Sequence, residues 1–291
     1  MRRRFHCIRR PISERASRHP PKEHSRCPRP CPPTLPQAHS LTIITGSSRG
    51  LGEALARQSL EAGHLVIGIA RGRSEALERF AHERGLPLQQ WQADLSSPLA
   101  IAQRLADWLR TQPREWTTAT LINNAGVVTT PGPIDGESLE TLSAALRVGL
   151  EATVLMSAAF LDATRDWPAE RKVLNISSGL GRRAMAGSAL YCAAKAGMDN
   201  LSRAMALDEE HKAAKGERAA RVVSLAPGII DTDMQAQLRG GDSSKFPDRD
   251  RFAAFKAEGQ LASAADTAAQ VLKFLARKDF GQQVLADVRD A

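Results

Sequence analysis

The segment Thr45-Gly46-Ser47-Ser48-Arg49-Gly50-Leu51-Gly52 constrains this chain more than any other, because it joins an apolar run at residues 41–45 to a helical pattern at residues 50–62. A glycine-rich turn between a strand and a helix is compatible with few folds. Gly46 permits the tight turn out of the strand, Gly50 lets the backbone approach a pyrophosphate, and Gly52 lets the helix lie close on the sheet. The start of the helix, with Ser48, Arg49 and Leu51 around it, offers free N–H groups and a positive dipole end to phosphate oxygens. A glycine triplet means little alone; following a strand and opening a helix, it is the start of a dinucleotide site.

Further along, short apolar runs alternate with helical periodicity. Strands are expected at residues 65–70, 88–92, 119–123, 172–177, 220–226 and 283–286, with helices at 74–84, 98–110, 138–166, 190–215 and 264–276. The helix at 138–166 is expected to break near Gly149. This alternation predicts a single α/β domain over residues 40–291, a Rossmann-type doubly wound parallel sheet with helices on both faces. Residues 229–260 are polar, contain Gly240, Gly241 and Pro247, and read as a loop or lid over the active site.

The formal charge of +8 invites a nucleic-acid reading, but it is concentrated in one place. Residues 1–39 hold ten Lys or Arg against Glu14 and Glu23, so the remainder is neutral. The same stretch holds eight of the sixteen prolines and three of the four cysteines, and has no apolar run. It reads as a disordered basic extension or as an upstream extension of a frame whose translation starts near Ser40. It lacks the apolar region of a secretory signal, and its prolines oppose the amphipathic helix of a mitochondrial presequence. Cys7, Cys27 and Cys31 do not form a paired Cys-x-x-Cys pattern, so no metal site is expected. No segment approaches the length of a membrane span. A cytoplasmic protein without nucleic-acid or membrane partners is the expectation.

The end of the second expected strand discriminates between cofactors. An acidic residue there would grip a ribose 2′-hydroxyl, whereas this chain has Ala70-Arg71. A guanidinium pairs with a 2′-phosphate, and Arg49 can reach the same group, so NADP(H) is expected over NAD. Asp94 and Leu95 follow the third strand, where they can contact the adenine edge. Asn123-Asn124-Ala125-Gly126 follows the fourth, where the backbone passes the adenine ribose.

Tyr191, the only tyrosine, and Lys195 stand four residues apart and so share one helix face. An adjacent ammonium favours phenolate and makes Tyr191 a usable acid near neutrality. Ser178 ends the preceding strand, where its hydroxyl can hydrogen-bond a substrate carbonyl.

With Thr45–Gly52, Asn123–Gly126, Ser178, Tyr191/Lys195 and Pro227-Gly228, the chain from about Leu41 onward resembles the short-chain dehydrogenase/reductase family. The resemblance implies that Tyr191 donates a proton, that Lys195 lowers its pKa and holds the nicotinamide ribose, and that Ser178 polarises the carbonyl. It implies that Pro227, Gly228 and Thr232 border the nicotinamide. Within the family, Asn175-Ile176-Ser177-Ser178, Ala189-Leu190-Tyr191-Cys192-Ala193 and Asp231-Thr232-Asp233-Met234-Gln235 resemble sepiapterin reductases and bacterial benzil reductases. Asp287 falls where an aspartate anchors the pterin in the former; otherwise it is an ordinary exposed acid.

One position departs from the family. Gly149 stands where a helix asparagine usually holds a kink and a relay water. The resulting expectation is an NADPH-dependent carbonyl reductase, a homodimer or homotetramer, acting on a small ketone, vicinal diketone or pterin side-chain ketone. The alternatives are an alcohol dehydrogenase working oxidatively and a cofactor-binding regulator without catalysis.

Overall fold

Two apolar layers on either side of one sheet account for the architecture. In a computed structural model, which describes residues 39–290, seven strands form an all-parallel sheet: β1 (Ser40–Thr45), β2 (Leu65–Ala70), β3 (Leu88–Gln92), β4 (Thr118–Asn123), β5 (Glu170–Ile176), β6 (Arg221–Ala226) and β7 (Leu285–Asp287). Their order is β3-β2-β1-β4-β5-β6-β7. The expectation for a basic extension falls almost wholly on residues 1–38, outside the described residues.

Successive side chains of a strand point to opposite faces, and the core divides accordingly. Leu41, Ile43, Leu121 and Val173 face α3 (Leu99–Thr111), α5 (Ala152–Ala163) and the far part of α6 (Ala189–Ala214). Ile44, Ile122, Leu174 and Val223 face α1 (Gly50–Glu61), α2 (Glu75–Arg84) and α9 (Ala264–Leu275). Helix starts follow local chemistry: the Ser74 and Ser263 hydroxyls accept bonds from the Leu77 and Asp266 amides at 3.1 and 3.0 Å. Gly63 follows α1 at φ 81°, as its αL stop requires.

Two expectations about local structure change. The helical region at 138–166 is α4 (Leu139–Leu146), a π-helical turn (Arg147–Glu151) and α5. The break at Gly149 is thus one wide turn within a continuous helix. Residues 229–260 are not a loop but carry α7 (Asp233–Arg239) and α8 (Arg249–Ala257). The chain leaves β1 toward β2 and later crosses to β4 on the other side. The crevice beyond the ends of β1 and β4 is the topological switch point, where ligands bind in such sheets.

Candidate active site

The crevice is a cavity of about 1160 Å³ running from the glycine turn to the C-terminal segment. At one end, Gly46 adopts φ 70°. A Cβ on Gly52 would stand 2.1 Å from the Gly46 carbonyl oxygen, so no other residue fits without moving the turn. The Asn124 amide clamps the turn, donating to the Thr45 and Gly46 carbonyls at 2.9 and 3.2 Å, while Thr45 Oγ1 accepts from the Asn124 and Ala125 amides. Arg49 is the N-cap of α1 and makes no side-chain capping bond, so the first-turn N–H groups of Gly50, Leu51 and Gly52 open into the cavity. This uncapped helix start, with glycine at two of its first three positions, fits a pyrophosphate.

Of the residues named from sequence, Gly46, Ser48, Arg49, Gly50, Leu51, Gly52, Arg71, Asp94, Leu95, Asn124, Ala125, Gly126, Ser178, Tyr191, Lys195, Pro227, Gly228, Thr232 and Asp287 all line this cavity. Asn123 does not. Its side chain lies under the sheet end, donating to Ser157 Oγ and Asn175 Oδ1 at 3.0 and 2.9 Å. It ties β4 to α5 and β5. Arg49 is also not free: its Nη1 lies 2.8 Å from Asp233 Oδ2 at the start of α7. Arg71 is exposed on the cavity wall, and it helps hold the Asp94 carboxyl below its usual range, after the stronger effect of the Ser96 amide and hydroxyl.

Deeper in, burial is the largest influence on the Tyr191 phenol. The phenol is pushed up to about 12 by desolvation, with the Ser178 hydroxyl pulling back part of the rise. Lys195 Nζ donates to the Ile176 carbonyl at 2.7 Å and lies over the Tyr191 ring, 5.7 Å from its centroid. Burial brings its own pKa down to about 8, opposed by Asp199. Near neutrality the site therefore holds a protonated phenol beside a hydroxyl and a mostly protonated, buried ammonium. It can donate hydrogen bonds and a proton to an oxygen placed between Ser178 and Tyr191.

The substrate half is closed by α7 and α8. Val127, Val128, Met185, Phe252 and Phe255 supply apolar and aromatic wall. None of these was singled out from sequence, because α8 buries no residue fully and its two phenylalanines read as part of a polar loop. Asp287 reaches the cavity from β7, but Arg289 grips it with bonds of 2.8 and 2.6 Å, which holds the carboxyl below its usual range.

Comparison with known proteins agrees with this geometry. Residues 40–242 match the family described as short chain dehydrogenase. A benzil reductase ((S)-benzoin forming) of Bacillus cereus is 33% identical over 82% of this chain and 95% of its own length. A sepiapterin reductase of Meriones unguiculatus is 31% identical over 86% and 97%. The crystal structure of a putative NAD(P) dependent gluconate 5-dehydrogenase from Beutenbergia cavernae with bound NADP is 25% identical, with a TM-score of 0.71 over 87% of this chain and 96% of that one.

Proposed function

The chain belongs to the short-chain dehydrogenase/reductase family, and on that premise we propose that it is an NADPH-dependent reductase of small ketones, with vicinal diketones as the favoured substrates. As a member of the family it is an NAD(P)-dependent oxidoreductase acting on CH–OH and C=O groups. The observation that carries this reading is the Tyr191 phenol set against the Ser178 hydroxyl on the cavity wall, two donors converging where a carbonyl oxygen would sit.

When bound, a reduced nicotinamide supplies hydride to the carbonyl carbon. The chain's own residues do the rest. The Ser178 hydroxyl donates a hydrogen bond to the carbonyl oxygen and fixes its position. Tyr191 transfers its phenolic proton to that oxygen as negative charge develops there. The Lys195 ammonium stabilises the phenolate left behind, and its reach to the ribose would hold the cofactor in register. Gly50, Leu51 and Gly52 would hold the pyrophosphate, Arg71 a 2′-phosphate, Asp94 and Leu95 the adenine, and Ala125 and Gly126 the ribose. Pro227, Gly228 and Thr232 would flank the nicotinamide.

An exposed arginine at the end of β2, with no acid beside it on that strand, supports NADPH over NADH. The apolar and aromatic wall supports a diketone bearing aryl or alkyl groups. A pterin would need Asp287, whose carboxylate is already engaged by Arg289, so it is the second reading. NADPH oxidation measured against ketones, diketones and pterins tests the assignment. No turnover in either direction with tight NADPH binding would instead make the chain a cofactor-binding regulator.

We also propose that copies of the chain associate. Contrary to the expectation that no segment approaches the length of a membrane span, Leu139–Ala163 is, among the described residues, the one helix long and apolar enough to cross a membrane. It lies along the domain, with α5 against α3 and Leu139 78% exposed. A second copy covering this face accounts for its apolarity, and light scattering on the purified protein tests it.

A further inference from the structure

Tyr191, Lys195 and Asp199 lie at successive four-residue steps of α6 and form one stripe. The mechanism uses the first two. Asp199 is 3% exposed. Its Oδ1 accepts a 2.6 Å hydrogen bond from Ser224 Oγ of β6, a residue buried completely. Its Oδ2 has no hydrogen-bond donor among the described residues and faces Arg182 Nε at 3.5 Å. A buried carboxylate with one oxygen unbonded is costly, unless its charge is used nearby.

Arg182 sits at the end of the short 3-10 turn after β5, and its Nη2 donates to the Ala286 carbonyl of β7 at 2.8 Å. That turn can lie against α6 only because residue 181 is glycine. A Cβ there would stand 2.9 Å from both Asp199 Oδ2 and the Lys195 carbonyl oxygen.

We propose that Asp199 is a positioning residue that keeps the buried Lys195 ammonium charged, and that Arg182 sets how much of its negative field reaches the lysine. Among the described residues no other acid is placed to do this. On α6, Tyr191 is neutral and Cys192 adjoins it. From the C-terminal strand, Asp287 is neutralised by Arg289. From the π-helical turn, Arg147 and Glu151 pair with each other and are half exposed. Glu140 on α4, Arg183 on the turn and Arg221 on β6 are exposed. The groups of β5 and β6 that meet the lysine and the aspartate are the Ile176 carbonyl and the Ser224 hydroxyl.

The inference rests on the proposed reaction for its rate measurement alone, so two measurements are made on the full chain. The first follows the Lys195 side-chain ¹³Cε resonance, assigned by comparison with Lys195→Arg, through alkaline pH in the unliganded protein. Asp199→Asn should move the midpoint down by about one pH unit, the size expected for loss of a close opposite charge. Arg182→Met should move it up. A role limited to packing would lower stability without producing opposite displacements. The second follows the alkaline limb of NADPH-dependent turnover, which should move with the resonance. Midpoints that stay in place, or that move in the same direction in both variants, overturn the proposal. Should Asp199→Asn not fold, Arg182→Met decides alone, and absence of an upward displacement overturns it. Opposite displacements of the resonance with no matching change in turnover support the Asp199 assignment and refute the reductase reading.

Discussion

A Cβ on Gly149 would stand 3.0 Å from the Ala194 Cβ on the facing helix. A side chain at the family's relay position would therefore crowd α6 at the residue just before the lysine. Gly149 does not adopt a positive φ, so the constraint is contact and not backbone strain. Gly149→Asn should destabilise the fold by about 1–3 kcal/mol, as overpacking does. Ala194→Gly in the same chain should restore much of that loss. A double variant no more stable than the single one, by thermal melting, would refute this account.

Tyr191→Phe removes the proton donor and leaves the glycine turn untouched. Turnover should fall by roughly 10²–10⁴-fold, while NADPH affinity measured by fluorescence changes little. Turnover of the unmutated protein should be level at neutral pH and decline through about pH 8 as Lys195 loses its proton. A level profile to pH 10 would contradict the role given to the ammonium.

Arg71→Asp replaces attraction for a 2′-phosphate with repulsion. The preference for NADPH over NADH should fall by about ten- to a hundredfold, the loss of one or two charged hydrogen bonds. Asp233→Asn acts in the opposite sense, because it releases Arg49 toward the same phosphate. The Arg49–Asp233 pair is 71% and 74% exposed, so losing it should leave the melting temperature nearly unchanged. NADPH affinity should rise relative to NADH; an unchanged ratio would show that Arg49 takes no part.

Stability should carry the signature of the buried lysine. Lys195 holds its proton less tightly in the folded chain, at about 8, than at its ordinary value of 10.5. Below that range both states are protonated and the full cost of burying charge is present. Between the two values the unfolded chain binds more protons, so the fold gains stability as pH rises. Denaturant unfolding should show the wild type gaining relative to Lys195→Gln across this window and nowhere below it.

Much of this was legible in the residues. The strands fall within two or three positions of their expected ends, because apolar runs bounded by Gly, Asp and Asn leave little freedom of register. The glycine turn and the Tyr191–Lys195 step were equally plain, since backbone sterics and helix geometry fix them. Other features were hidden for physical reasons. The outcome at Asn123 depends on which way the last residue of β4 turns, and it turns into a polar cluster with Ser157 and Asn175. α7 and α8 bury only Gln235 and Leu238, so periodicity had little to register. The protonation of Tyr191 reflects desolvation, which no spacing in the chain reveals. Asp199 was not singled out from the sequence, because its four-residue step from Lys195 gains meaning only through its burial.

The buried face of α6 sets Lys195, Asp199, Ser202 and Glu209 among Ala194, Met198 and Ala206, so more than half of it is polar where most buried helix faces are aliphatic. Replacing buried ions with well-packed hydrophobic residues is often neutral or stabilising. A laboratory evolution campaign that rewards heat tolerance alone would therefore drift toward aliphatic side chains at these sites. It would select robust, inert descendants. Breeding a hardier catalyst from this scaffold requires that every round also score turnover.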